Sequence, residues 1–286
     1  MKLWALSDTH INHPQNRAAL ADLPAHPEDW LILAGDCCDT YQDLQWLLST
    51  LTPKWARVIW VPGNHELWTH HKDTCQATGE ARYQALVNLC REYNVLTPED
   101  HYLLWPGEEK PLYLVPMFLL YDYSFGPPGL SRAEVLAWAA EEGIRCTDES
   151  LLSCAPYSGP EEWCEARLHY TKKRLEQLPK DAQTLLINHF PLRKDLIRLF
   201  RIPRFIPWCG TLATESWHVQ YRAKVVISGH LHMRATDWRD GVRFEEVSLG
   251  YPRHWNQSCP PEAYLREVLP ATAASLNSAD IPRWMS

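Results

Sequence analysis

No uninterrupted apolar stretch of the roughly 20 residues that a membrane helix needs occurs in the chain, so no transmembrane segment is expected. The N-terminus, Met1-Lys2-Leu3-Trp4-Ala5-Leu6-Ser7-Asp8, turns polar too soon for a signal peptide. Positive charge is also short: 28 Lys and Arg stand against 35 Asp and Glu, a net charge of -7. A general grip on the phosphate backbone needs a basic surface, so nucleic acid is not an expected partner. There is no CxxC pair, which removes a zinc knuckle, and no internal repeat. The nine cysteines are odd in number, and only Cys37 and Cys38 adjoin. They read as reduced thiols in a cytoplasmic protein. Nothing in the composition fixes the oligomeric state.

What is present is an alternation of strand-like and helix-like segments. Lys2 to Leu6, Trp30 to Ala34, Arg57 to Val61 and Tyr113 to Phe118 read as strands. Between them, Tyr41 to Leu51 groups Leu44, Leu47 and Leu48 on one helical face, and Ala81 to Tyr93 groups Leu86, Leu89 and Tyr93. Glu161 to Leu178 is a charged amphipathic helix, followed by strands at Thr184 to Ile187 and Lys224 to Ile227. A hairpin is expected around Asp240-Gly241, between Thr236 to Trp238 and Phe244 to Leu249. The rhythm predicts an α/β fold with strands buried on both faces. It breaks from Tyr121 to Pro160, where Gly126-Pro127-Pro128-Gly129 precedes a helical piece from Arg132 to Glu141. This segment is expected to be an insertion, too poor in apolar residues for its own core. Periodicity fades beyond Pro252. The expectation is therefore one domain over 1–270, with an insertion at about 121–160, and a loose tail over 271–286.

Five polar segments each follow an apolar run. They are Ser7-Asp8-Thr9-His10, Gly35-Asp36-Cys37-Cys38-Asp39, Gly63-Asn64-His65-Glu66, Asn188-His189-Phe190-Pro191 and Gly229-His230-Leu231-His232. Ligands in α/β sheets gather beyond the carboxyl ends of the strands, where all five fall. Asp8 with His10, and His230 with His232, alternate along an extended chain, which would point each pair one way. Oxygen and nitrogen donors converging from several elements indicate a two-metal hydrolytic site. Mixed His, Asp and Asn ligands suit Mn, Fe, Zn or Co better than Ca or Mg. Two such divalent or trivalent ions clamp a phosphoryl group and share a hydroxide placed for in-line attack. A protonated His65 is a sensible general acid for the leaving alkoxide, with Asp39 as its partner on spacing alone.

The order Asp8-x-His10, Gly35-Asp36-x-x-Asp39, Gly63-Asn64-His65-Glu66, His189 and Gly229-His230-x-His232 resembles the calcineurin-like metallophosphoesterase superfamily. The likeness runs from Asp8 to His232. It implies a four-layer α/β/β/α sandwich of the metallophosphoesterase type. It also implies one metal on Asp8, His10 and His232, a second on Asn64, His189 and His230, and Asp36 bridging the two. His65 would approach the substrate without binding metal.

Other features admit two readings. Arg193, Lys194, Arg198, Arg201 and Arg204 are either a solvated face or a site for an anionic substrate tail, with Arg193 and Arg198 the expected contacts. Trp68, Trp208, Trp217 and Trp255 either pack under loops or stack on a leaving group. His13, His70 and His71 lie near the motifs as solvated or site-lining residues. Cys37 and Cys38 read as small packing residues. The expected function is a metal-dependent phosphoesterase acting on a soluble, small-molecule phosphate ester. The alternatives are a metal-dependent hydrolase of a non-phosphate bond and a non-catalytic scaffold.

Overall fold

A computed structural model describes residues 1–108 and 110–270; the tail expected at 271–286 lies outside them. In chain order the elements are β1 (Leu3–Leu6), α1 (Pro14–Asp22), β2 (His26–Ala34), α2 (Tyr41–Leu51), β3 (Trp55–Val61), α3 (Asn64–Leu67) and α4 (Gly79–Glu92). Then come β4 (Leu103–Trp105), β5 (Leu112–Pro116), α5 (Arg132–Ala140), α6 (Asp148–Leu151) and α7 (Pro160–Leu175). The chain continues through β6 (Gln183–Ile187), α8 (Trp217–Gln220), β7 (Ala223–Ser228), β8 (Ala235–Arg239), β9 (Val242–Glu246) and β10 (Arg266–Leu269).

The strands form two sheets, ordered β10-β1-β2-β3 and β4-β5-β6-β7-β9-β8. Within them β1, β2 and β3 run parallel, as do β5, β6, β7 and β9; β10, β4 and β8 are antiparallel additions at the edges. Side chains alternate across each strand and so sort into layers. Ile32, Ala34, Ile59 and Val61 of the first sheet meet Leu112, Leu114, Leu185, Ile187, Val225 and Ile227 of the second. The opposite face of the first sheet, with Leu31, Leu33, Val58 and Trp60, packs on Leu44, Leu47 and Leu48 of α2 and Leu86 of α4. The outer face of the second sheet, with Val115, Leu186 and Val226, packs on Leu175 of α7 and Trp217 of α8. The result is the expected α/β/β/α sandwich. The sheets join at one end, where Ser7 bridges Ser248.

Thr40 caps α2, its side chain accepting from the Asp43 amide, which fixes the start of that helix where the sequence places it. The hairpin forms with Asp240-Gly241 as its turn, between β8 and β9. Six of these elements were not expected from the sequence: α1, α3, β4, α6, α8 and β10. The last pairs antiparallel with β1, so the region beyond Pro252 returns to complete the first sheet.

One buried ion pair braces the loops beneath the site. Arg82 of α4 lies 2.8 Å from Asp73 through Nη2 and donates from Nε to the Glu66 carbonyl at 2.6 Å. Both side chains are fully buried. Arg82→Met leaves a buried, uncompensated carboxylate. The expected loss is about 3–5 kcal/mol, read as a fall in the urea midpoint of the metal-free protein.

Candidate metal centre

The carboxyl ends of the two sheets each contribute part of one cluster. Asp8 and His10 follow β1, Asp36 follows β2, and Asn64 opens α3 just past β3. From the second sheet come His189 after β6, and His230 and His232 after β7. Ligand atoms of Asp8, His10 and His232 lie within 4.8 Å of one another, as do those of Asp36, His189 and His230. A third group, within the same distance, joins His10, Asp36 and His65.

The backbone reaches this arrangement by a route the alternation argument did not foresee. Asp8, His10, Asp36, His230 and His232 all adopt positive φ, between 37° and 74°. The loops past β1 and β2 bond to each other, Asp8 N to Gly35 O at 2.9 Å and His10 N to Asp36 O at 3.2 Å, and these bonds turn the chain away from extended geometry. Left-handed non-glycine residues cost energy and cluster where a site needs them. Close approach also fixes Gly63 and Gly229: a Cβ on the first would meet the Asp36 carboxylate, and on the second Ser7 and Asp8.

Hydrogen bonds orient the donors. Asp8 Oδ2 accepts from the Ser7 and Ser248 hydroxyls at 2.6 and 2.7 Å and from the His230 amide at 3.0 Å. Asp36 Oδ1 accepts from the His65 amide at 2.9 Å. His189 uses Nδ1 on the Ala34 carbonyl at 2.9 Å, which leaves Nε2 3.3 Å from Asp36 Oδ2. Glu66 is buried, and its carboxylate accepts from the amides of Asp36, Cys37 and Gly63 at 2.7 to 3.0 Å, clamping two ligand loops together. Burial and the Asp36 charge push its carboxyl up to about 7. Tyr251 packs on His10 and His232, with ring centroids 4.5 and 4.7 Å apart, and His254 Nδ1 lies 3.0 Å from His232 Nδ1. Glu66 was visible in its motif without a role. Tyr251, His254 and Asp148 gave no sequence signal.

The donor set fits cations. Asn64 Oδ1, His189 Nε2 and His230 Nε2 are buried, yet no protein hydrogen-bond donor satisfies them. Burial drives His230 down to about 3, so its imidazole is neutral and carries a free lone pair. Burial also lowers His189, but the Asp36 charge outweighs it and holds the group up at about 10. Asp36 itself sits well below the usual carboxylate range: burial opposes this, and the His189 and His65 charges overcome it. Positive charge is therefore favoured between the carboxylates, whether proton or metal supplies it.

His65 stands beside the ligands, with Nδ1 2.8 Å from Asp39 Oδ1 and Nε2 3.8 Å from Asp36 Oδ2. Burial pulls its pKa down, but the Asp36 and Asp39 carboxylates raise it to about 9. Its ring packs on Trp68 with centroids 3.6 Å apart. Both residues line an open cleft of about 230 Å³, together with Arg145, Leu199, Ile202 and Phe205. Arg193 and Arg198 do not line it. Arg193 is engaged by Asp195 and the Glu215 carbonyl, and Arg198 by Asp237. Trp208, Trp217 and Trp255 are buried packing residues, as are Cys37 and Cys38. His71 is exposed, while His13 and His70 are half-buried.

A family model described as calcineurin-like phosphoesterase matches residues 1–234. The [acyl-carrier-protein] phosphodiesterase PptH of Mycobacterium tuberculosis is 48% identical over 270 residues, covering 94% of this chain and 83% of the relative. The crystal structure of phosphopantetheinyl hydrolase (PptH) from Mycobacterium tuberculosis superposes with a TM-score of 0.90 at 48% identity, covering 94% of this chain and 96% of that one.

Proposed function

The chain belongs to the calcineurin-like phosphoesterase family, and from that premise we propose that it cleaves the phosphodiester joining phosphopantetheine to an acyl carrier protein. That it is a phosphoric ester hydrolase follows from the family and from the 48% identical phosphodiesterase. The finer substrate is proposed from the likeness to that relative. It adds a protein carrier to the small soluble ester expected from the sequence.

In this reading Asp8, His10 and His232 hold one ion, Asn64, His189 and His230 hold the other, and Asp36 is shared. The observation that carries it is three buried atoms without a hydrogen-bond partner, Asn64 Oδ1, His189 Nε2 and His230 Nε2, the two histidines clustering with Asp36. Manganese and iron suit these ligands, with zinc or cobalt as substitutes. When bound, the ions supply Lewis acidity to the phosphoryl oxygens and a deprotonated water near neutral pH. The protein residues do the rest. His65, kept protonated and oriented by Asp39, delivers a proton from Nε2 to the departing alkoxide. The side chains of Trp68, Leu199, Ile202 and Phe205 give the cleft an apolar wall for an extended, uncharged arm. Exposed Arg145 brings positive charge to the same cleft. Buried, unpaired cysteines such as Cys37, Cys90 and Cys164 accord with a reducing, cytoplasmic setting.

The test is to incubate manganese-loaded protein with phosphopantetheinylated carrier protein and follow the carrier by mass spectrometry. The expected result is loss of one phosphopantetheine per carrier, stopped by a chelator and restored by adding metal. Turnover of a nitrophenyl carboxyl ester with no carrier or phosphodiester cleavage would contradict the reading.

A further inference from the structure

Asp148 lies outside every segment that supplies the metal ligands, 84 residues along the chain from Asn64. It opens α6, in the stretch where the strand–helix rhythm breaks, directly after three cleft-lining residues, Arg145, Cys146 and Thr147. Its carboxylate is buried and accepts three hydrogen bonds. Asn64 Nδ2 and Trp68 Nε1 donate to Oδ1 at 2.9 and 2.7 Å, and the Tyr121 hydroxyl donates to Oδ2 at 2.9 Å.

The chemistry of an amide makes this partner consequential. Asparagine has two ends of nearly equal shape, and only the oxygen binds a cation. An ionised carboxylate accepts hydrogen bonds and donates none. Facing Asp148, Asn64 must turn its NH2 toward the carboxylate, which leaves Oδ1, unsatisfied by any protein donor, for the cleft. The same carboxylate oxygen holds Trp68, whose indole lies on the His65 ring. The two segments are also fastened through the backbone, Thr69 N donating to Leu151 O at 3.0 Å.

We propose that Asp148 is a positioning residue, which selects the metal-binding face of Asn64 and steadies Trp68 against His65. Through it the 121–160 segment that walls the cleft is tied to the metal centre. Metal occupancy and order in that segment therefore depend on each other. This rests on Asn64 being a ligand of the second ion, as proposed above.

The experiment uses the whole chain and reads metal binding and backbone protection rather than turnover. Asp148→Ala frees the Asn64 amide to rotate, and one of two manganese ions is expected to bind about 10–100-fold more weakly. Asp148→Asn keeps an oxygen for Asn64 and Trp68, and is expected to stay within about threefold of the parent. Asn64→Ala serves as the control and loses the same ion. In the parent, adding manganese slows hydrogen exchange over residues 145–152, and in Asp148→Ala it does not. The positioning role is overturned if Asp148→Ala binds both ions with parental affinity, if Asp148→Asn loses the ion as fully as alanine does, or if the parent shows no metal-induced protection there. Retention of both ions by Asn64→Ala overturns instead the ligand assignment beneath it. Because the protection experiment needs only the parent protein, the proposal stays testable should Asp148→Ala fail to fold.

Discussion

Asp36→Ala removes both metal ions and lowers kcat/KM by about 10⁴-fold or more, equivalent to roughly 5 kcal/mol of transition-state stabilisation. Three features make this carboxylate irreplaceable. It is buried, it lies 3.3 Å from His189 Nε2, and its other oxygen takes the His65 amide at 2.9 Å. It thus contacts both His189 and the candidate acid, His65. Removing it also leaves the imidazoles of His10, His65, His189 and His230 without the negative charge they share. Elemental analysis after dialysis, paired with turnover of bis-nitrophenyl phosphate, checks the expectation. A variant that keeps two ions would show that Asp36 is not shared between them.

His65→Ala has a different signature. It keeps both ions, because the proposed ligand set does not include its ring, and it loses rate by about 10²–10⁴-fold on an alkoxide-leaving phosphodiester. The loss should be much smaller with a nitrophenolate, which departs without a proton. That contrast between leaving groups is the informative quantity. Loss of metal from the variant, or equal losses on both substrates, would remove His65 from the role of acid. Asp39→Asn should fall between parent and His65→Ala on the alkoxide substrate, since it keeps the 2.8 Å contact and drops the charge.

The residues that cluster at the sheet ends could be picked out from the sequence because each sits where a buried strand ends, and a polar residue there has few roles. Strands such as Leu31–Ala34 and Val58–Val61 are apolar on both faces because helices cover one side and the second sheet the other. The helix Tyr41–Leu51 was legible to the residue from its leucine stripe, and in the structure Thr40 caps it. Other elements were not legible, each for a physical reason. Helix α1 buries only Asn16, Ala19 and Leu20, too little for a periodic stripe. Strand β10 is four residues long and gains its burial from pairing with β1 across the whole length of the chain. Positive φ at Asp8, His10, Asp36, His230 and His232 goes with loop-to-loop hydrogen bonds, which local alternation does not register. Asp148 and Glu66 act through tertiary contacts with amides and indoles, and such partners have no spacing rule.

The arginine segment shows the same limit. Arg193 pairs with Asp195 two residues along, and Arg198 and Arg204 take Asp237 and Glu141 from distant segments. Arg145, isolated in sequence, is the arginine that lines the cleft. A run of cations in sequence does not become a patch in space unless the fold leaves it without counter-ions.

Everything chemical in this account depends on cations gathered between the two sheets. The most direct test is the metal content of manganese-loaded protein after dialysis into metal-free buffer. Two ions per chain are expected in the parent and none in Asp36→Ala. A parent that retains one ion, or none, would contradict the two-metal reading.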